Sequence, residues 1–511
     1  MIKLSRKISA WILVFLMTMT SVLLPLIVKR LYRNGYEVST SVSFSKSEVQ
    51  TYRDSLSESL GDTNQYVEHE TIRFNVNSEV VELFATKINL EDSDVRDYSL
   101  LSCYNAILAN YDFENYPISD SFLSFHALVS YIDINHSLCN LNTDPFSERD
   151  NAWYELYRET TDSLDLAKQA LFNHDCHAMA ILVEDQGSSL NGISPDIWQR
   201  IATIDPYGKL SLDDGMQIVD ALEQCKKYKN NLAMEVDEIN GSYVPLTIER
   251  KTQIENSLLI LDYQITNNKL PTNRAQVSTL ARQFSQKAAR FLLIILLIII
   301  AGSSISQEMA TGSIKSLIIA PVKRWKIFVA KLMAIFTWML AGSVLITTLS
   351  TLSTSVCLGA SNLLPYYYVS GGHVRQMPHI VFAFLYFLVD NISLFVYILT
   401  AFMISCLTKN TGISVGVSTG LVLSNGITST IMDMMNHQTW IDFLPFSNLD
   451  LSGKIFPYLR LIGYMNSGEA GPFGVPEYNT LPLSFSLVYL AVLVVILLLT
   501  AYDGFNRRDI Q

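Results

Sequence analysis

The sequence predicts an α-helical membrane protein with six transmembrane helices and an α+β extracellular domain between the first and second of them. Three observations carry that prediction. Six apolar runs are long enough to cross a membrane, one acidic polar stretch separates the first run from the rest, and the short connections are basic. Of the 511 residues 49% are hydrophobic and 17% are charged. The mean hydropathy of +0.23 is too apolar for an ordinary soluble chain and too mixed for one wholly in the membrane. The net charge of −11 is unevenly spread: residues 31–287 hold 39 acidic and 20 basic side chains, the remainder 9 and 17. That split argues against a nucleic-acid partner, because displacing counterions from phosphates needs a basic face and the one large polar region is acidic.

A helix rises ~1.5 Å per residue, so about 20 apolar residues cross ~30 Å of hydrocarbon. Residues 8–28, 288–306, 328–352, 379–406, 412–434 and 483–502 meet that length. The first run follows Lys3, Arg6 and Lys7 as a secretory signal would. It lacks a small-residue cleavage site and is too long for a signal, so residues 1–30 read as an uncleaved N-terminal anchor helix. Pro25 is expected to bend its far end by freeing a backbone carbonyl. Residues 31–287 suffice for a globular extracellular domain with its own core. There, 151–172 and 212–229 carry apolar residues at helical spacing while 127–134 alternates like a strand, hence the α+β class. Residues 246–270 and 274–290 read as two helices broken at Pro271, the second a stalk entering the membrane. Residues 288–511 form a five-helix transmembrane region with a cytoplasmic loop at 304–327.

Orientation follows from Lys and Arg in the short loops. Lys3, Arg6, Lys7, Lys315, Lys323, Arg324, Lys326, Lys331, Lys409, Arg507 and Arg508 all fall on one side, which the positive-inside rule makes the cytoplasm. The expected protein is a multi-pass plasma-membrane protein with both termini cytoplasmic. Lys29, Arg30, Arg33, Lys287, Arg290, Arg375, Lys454 and Arg460 run the other way. Cys103, Cys139, Cys176 and Cys225 lie in the acidic region, where they permit two disulfides in three pairings or buried free thiols.

The most informative stretch is 306–331, SQEMATGSIKSLIIAPVKRWKIFVAK. A Glu, a Thr-Gly, a short apolar helix, a Pro and then three basic residues form an unusual order for a plain connecting loop. Here the chain resembles type 2 ABC transporter permeases, whose loop between spans two and three carries Glu, then Thr-Gly-Thr/Ser-Ile, then Pro-Val, a basic residue and a Lys. The matching positions are Glu308, Thr311, Gly312, Ser313, Ile314, Pro321, Val322, Arg324 and Lys331. The tail 505–510, Phe-Asn-Arg-Arg-Asp-Ile, resembles that family's ending too. The resemblance covers the membrane half; the domain at 31–287 resembles nothing nameable.

The resemblance implies the permease subunit of an exporter with a coupling loop that contacts an ATPase through Glu308, Thr311, Gly312, Ser313, Ile314, Lys315, Pro321, Arg324 and Lys331. An amphipathic helix at the surface would turn Ile314, Leu317 and Ile318 toward the spans, and Pro321 would end it. Lys323, Arg324 and Lys326 suit an anionic leaflet of membrane lipids. The chain has no G-x-x-x-x-G-K-[ST] loop, so ATP and Mg would sit on a partner ABC ATPase, with no cofactor on this chain. The resemblance also implies a second permease subunit, as a homodimer or heterodimer, and a bacterial plasma membrane. Residues 412–420, GISVGVSTG, lack the Lys and read as small residues for close helix packing.

Other motifs are sparse. Asp390, beside Asn391, falls mid-span, where a carboxylate is costly enough to mark a candidate intramembrane polar site, lining a substrate path or bonding a neighbouring helix. The run His174-Asp175-Cys176-His177 has metal-ligand types but no second cluster to complete a site, and reads as a turn or helix end. There is no H-E-x-x-H and no G-x-S-x-G, so the chain is not expected to be an enzyme. An alternative class, a membrane-anchored sensor with an extracellular ligand-binding domain, is opposed by inner segments too short for a signalling domain.

Overall fold

Capping residues and unbroken helix formers set most of the element boundaries. The structure is a computed structural model and describes residues 8–39, 44–61, 63–76, 79–186, 192–239, 242–311, 323–359, 363–408, 410–434, 443–445, 448–449, 451–462 and 481–506. Two compact units divide the chain: Asn34–Lys226, and Met1–Arg33 together with Lys227–Gln511. Residues 227–287, expected in the polar domain, thus group with the apolar helices.

Helix α1 (Ile8–Ser39) continues through Pro25 and past the apolar run, because Lys29, Arg30 and Leu31 are good helix formers. The polar unit then starts with α2 (Lys46–Leu60), whose Ser45 and Glu48 form a reciprocal capping box. Strands β1 (Val67–Val76) and β2 (Glu79–Ile88) pair as an antiparallel hairpin running from Val67↔Ile88 to Val76↔Glu79. Helices α3 (Asp92–Asn110), α4 (Phe122–Leu141), α5 (Asn151–Phe172), α6 (Cys176–Gln186) and α7 (Pro195–Ile204) follow, and α8 (Leu212–Met234) crosses the unit boundary. Helices therefore dominate this unit, and its strands come from the hairpin.

The expected strand at 127–134 is instead the middle of α4. Ser121 caps the helix by accepting from Ser124 N–H at 3.2 Å. Buried His126, Ala127, Leu128, Ser130, Tyr131, Ile134 and Asn135 occupy several faces, so the period-two pattern recorded burial all round rather than one sheet face. Trp198, Phe122, Leu128, Leu171, Met179 and Leu182 are among its largest fully buried side chains. At Gly215 a Cβ would lie 2.2 Å from the Phe122 ring, so α8 can approach this core only with glycine there.

The second unit continues with a short hairpin, β3 (Val236–Ile239) and β4 (Ser242–Pro245), and α9 (Ile248–Thr266). Thr272 caps α10 (Asn273–Ser304), one continuous 32-residue helix that joins the expected stalk and second span. Helix α11 (Ser306–Ala310) follows, then α12 (Arg324–Leu358), the hairpin β5 (Tyr366–Ser370) and β6 (His373–Met377), α13 (His379–Leu407) and α14 (Thr411–Met434). A four-residue helix, α15 (Ser452–Ile455), precedes α16 (Leu483–Asn506).

Among the described residues five helices are long and apolar enough to cross a membrane: Trp11–Leu31, Arg274–Ala310, Arg324–Leu358, His379–Leu407 and Leu483–Asn506. In α14 the described apolar stretch, Thr411–Val422, is shorter. The chain is an α-helical membrane protein.

Met17, Leu293, Leu297, Ile298, Met339, Ile398 and Phe402 belong to one core among these helices. Apolar burial gains little between helices in lipid, so close contact and polar links must hold them. A Cβ on Gly342 would lie 2.5 Å from Leu293 Cδ1 and one on Gly504 2.8 Å from Leu407 Cδ2. Gly416 and Gly420, expected to serve close packing, have nothing within 4 Å. Ser414 and Ser418 on the same helix are buried instead, because the i, i+4 period puts glycines and serines on different faces.

Candidate functional site

Polar side chains converge at two levels of the helix bundle. The first is the end where α10 and α13 finish and α12 begins. At the break after Ser304, Ile305 N–H and Ser306 N–H both donate to Ser405 Oγ, at 3.2 and 3.1 Å. One hydroxyl on α13 thus satisfies two amides freed by the break. Lys331 Nζ donates to Glu308 Oε2 at 2.5 Å and to Ser304 O at 2.8 Å. The Lys331 and Glu308 side chains are only 18% and 32% exposed, which separates this pair from a hydrated surface bridge. Arg324 Nη1 donates to Asn506 O at 2.9 Å, placing a cation at the carbonyl end of α16.

The Glu308–Lys331 pair therefore joins α11 to α12. Phe328, packed on Phe402, Tyr502 and Phe505 with ring centroids 5.3 to 6.0 Å apart, anchors the start of α12. Thr311 Oγ1 donates back to Gln307 O at 2.9 Å. Gly312, Ser313, Ile314, Lys315 and Pro321 lie outside the described residues.

The second level is near the middle of α13. The Asp390 carboxylate pairs with the Arg290 guanidinium from α10. Arg290 also donates to the Asp390 carbonyl and, at 3.3 Å, to Ser393 Oγ. Asn391 turns elsewhere: it accepts from Ser343 Oγ of α12 at 2.7 Å and donates to Phe387 O at 2.7 Å. Asp390 and Asn391 thus both bond neighbouring helices, Asp390 to α10 through Arg290 and Asn391 to α12 through Ser343. Sequence reasoning missed Arg290 by assigning it to the flank of a span. The signal was available, since one unmatched acid and one unmatched base in neighbouring apolar segments invite pairing.

In the polar unit, His174 has φ 54° and stacks on Tyr116 at 3.6 Å. Burial holds its imidazole below the usual histidine range. Asp175 Oδ1 accepts from His177 N–H at 2.9 Å and Ala178 N–H at 3.4 Å, so the 174–177 run starts α6. Among the described residues no three His, Cys, Asp or Glu side chains could together hold a metal ion. All six cysteines are free thiols. Burial pushes Cys103, Cys139 and Cys176 up to about 12.

These features define a class: an α-helical membrane protein with an ion pair latching α11 to α12 at one end of its bundle and a second ion pair within it. Residues 253–511 match the family described as "Protein of unknown function (DUF2705)", and with just over half of its length matched the chain belongs to that family. It is also similar to "Uncharacterized protein YhcI" of Bacillus subtilis (strain 168), at 26% identity over 270 residues, which is 51% of this chain and 77% of that protein. No solved structure matches the chain.

Proposed function

We propose that the chain is the permease subunit of an ABC-type exporter, moving substrate across a bacterial plasma membrane with ATP hydrolysed, with Mg, on a separate ATPase subunit. The supporting observation is the Glu308–Lys331 pair across the ends of 312–322. A partner gripping that connection would pull on α10 and α12 together. Arg324, bonded to the end of α16, would extend the pull to a third helix.

In this reading the connection faces the cytoplasm, as do both termini, and α14 is the sixth span. The unit Asn34–Lys226, with its helices and hairpin, lies outside the cell. A second copy packs along the uncovered face of α14 that carries Gly416 and Gly420, since glycines let helix backbones approach closely. Transport needs no covalent chemistry on this chain.

The test is purification from native membranes with any bound ATPase. Arg324→Glu should lose the ATPase, and Glu308→Ala should retain it while ATP hydrolysis no longer depends on the permease. A chain that carries no ATPase, or variants that leave both binding and hydrolysis unchanged, would refute the proposal.

A further inference from the structure

One edge of α13 is polar through the middle of an otherwise apolar helix. Tyr386, Asp390, Ser393, Tyr397 and Thr400 recur at steps of four, three, four and three residues, which puts them on one side of the helix over about 21 Å. All five are half-buried. Phe384 and Leu388, which lie on the opposite side, are 60% and 47% exposed. The lipid-facing side of α13 is therefore the Phe384–Leu388 side, and the polar edge points away from it.

Asp390 is at the centre of that edge. Arg290 covers one side of the carboxylate, yet 40% of the Asp390 side chain is left uncovered, against 19% of Arg290. A carboxylate uncovered by protein and turned away from lipid at mid-span needs water around it. A structural lock, by contrast, would be sealed, as the buried Asn391–Ser343 bond on the neighbouring face is.

We propose that this edge, with Arg290 opposite, lines a water-filled cleft whose accessible carboxylate receives a cationic group of the cargo. The purpose of the cleft rests on the transport reading, whereas its wetness does not. Arg290 is then a positioning residue: it holds the Asp390 carboxylate aimed and leaves its outer oxygen surface to the incoming cation.

The experiment is thiol labelling of the full-length chain in membranes, with the native cysteines replaced and folding verified by thermal melting. Ser393→Cys and Thr400→Cys are compared with Phe384→Cys and Leu388→Cys. The probes are methanethiosulfonates bearing either a trimethylammonium or a sulfonate group. Both edge positions should react at least about tenfold faster than the lipid-facing pair, and the cationic reagent should outpace the anionic one, because the carboxylate is the more exposed member of its ion pair. Asp390→Asn should reverse that preference by leaving Arg290 unmatched.

Edge positions no faster than Phe384→Cys would overturn the cleft, as would spontaneous disulfide dimers without labelling, which would mean that a second copy covers the edge. Equal rates for both reagents would overturn the cation assignment. A wet, cation-preferring edge in a chain that binds no ATPase would leave the cleft standing and remove the transport reading alone.

Discussion

Removing the Glu308 carboxylate should loosen the junction between α10 and α12 by a predictable amount. In Glu308→Ala, Lys331 keeps one partner, the Ser304 carbonyl at 2.8 Å, and loses a charged one at 2.5 Å. A hydrogen bond to a charged group contributes roughly 1.5–3 kcal/mol net. Glu308 is about a third exposed, so water recovers part of that, and the expected cost is about 1–2 kcal/mol. The assay is a double-mutant cycle with Glu308→Ala, Lys331→Ala and both together, read by denaturant titration in mixed micelles. The coupling energy should be about 1 kcal/mol, well above the ~0.3–0.5 kcal/mol scatter of independent sites. The swap Glu308→Lys with Lys331→Glu should recover much of the loss. Additive single mutants, or a swap no better than either, would refute the latch.

Three further outcomes are expected. Gly342→Val should cost about 1–3 kcal/mol by overpacking against Leu293. Arg149 donates to the carbonyls of Asn142 and Asp144 and lies over the rings of Phe146 and Trp153 at 4.7 and 4.5 Å. Arg149→Ala should therefore destabilise the polar unit by about 2–3 kcal/mol, visible in tryptophan fluorescence melts. The folded chain keeps thiol protons on Cys103, Cys139 and Cys176 that the unfolded chain sheds. Their contribution is intact below the ordinary thiol value of 9.0 and is lost as pH climbs toward about 12. Iodoacetamide at pH 8 should leave all three unmodified in mass spectra until the protein is unfolded, and Cys176→Ala should flatten the fall in melting temperature above pH 9.

How much was legible depended on range. The helix Asn151–Phe172 and the break at Pro271 were readable because caps, periodicity and proline act within a few residues. The first helix was read too short, because the end of an apolar run is a solubility boundary and not a helix boundary. The strand at 127–134 was misread because period two also fits a short stretch of a helix buried on several faces.

The sequence by itself determined that this is an α-helical membrane protein, since apolar run length is a local quantity and the bilayer responds to it directly. It also singled out Asp390, because a carboxylate at membrane depth is rare enough to stand out alone, and Glu308 and Lys331, through the resemblance of 306–331 to a permease loop. Only the tertiary structure decided their partners: Glu308 with Lys331, Asp390 with Arg290, and Asn391 with Ser343. Each partner lies on another helix, and which faces of two helices meet depends on their packing register, a property that no single stretch of chain contains.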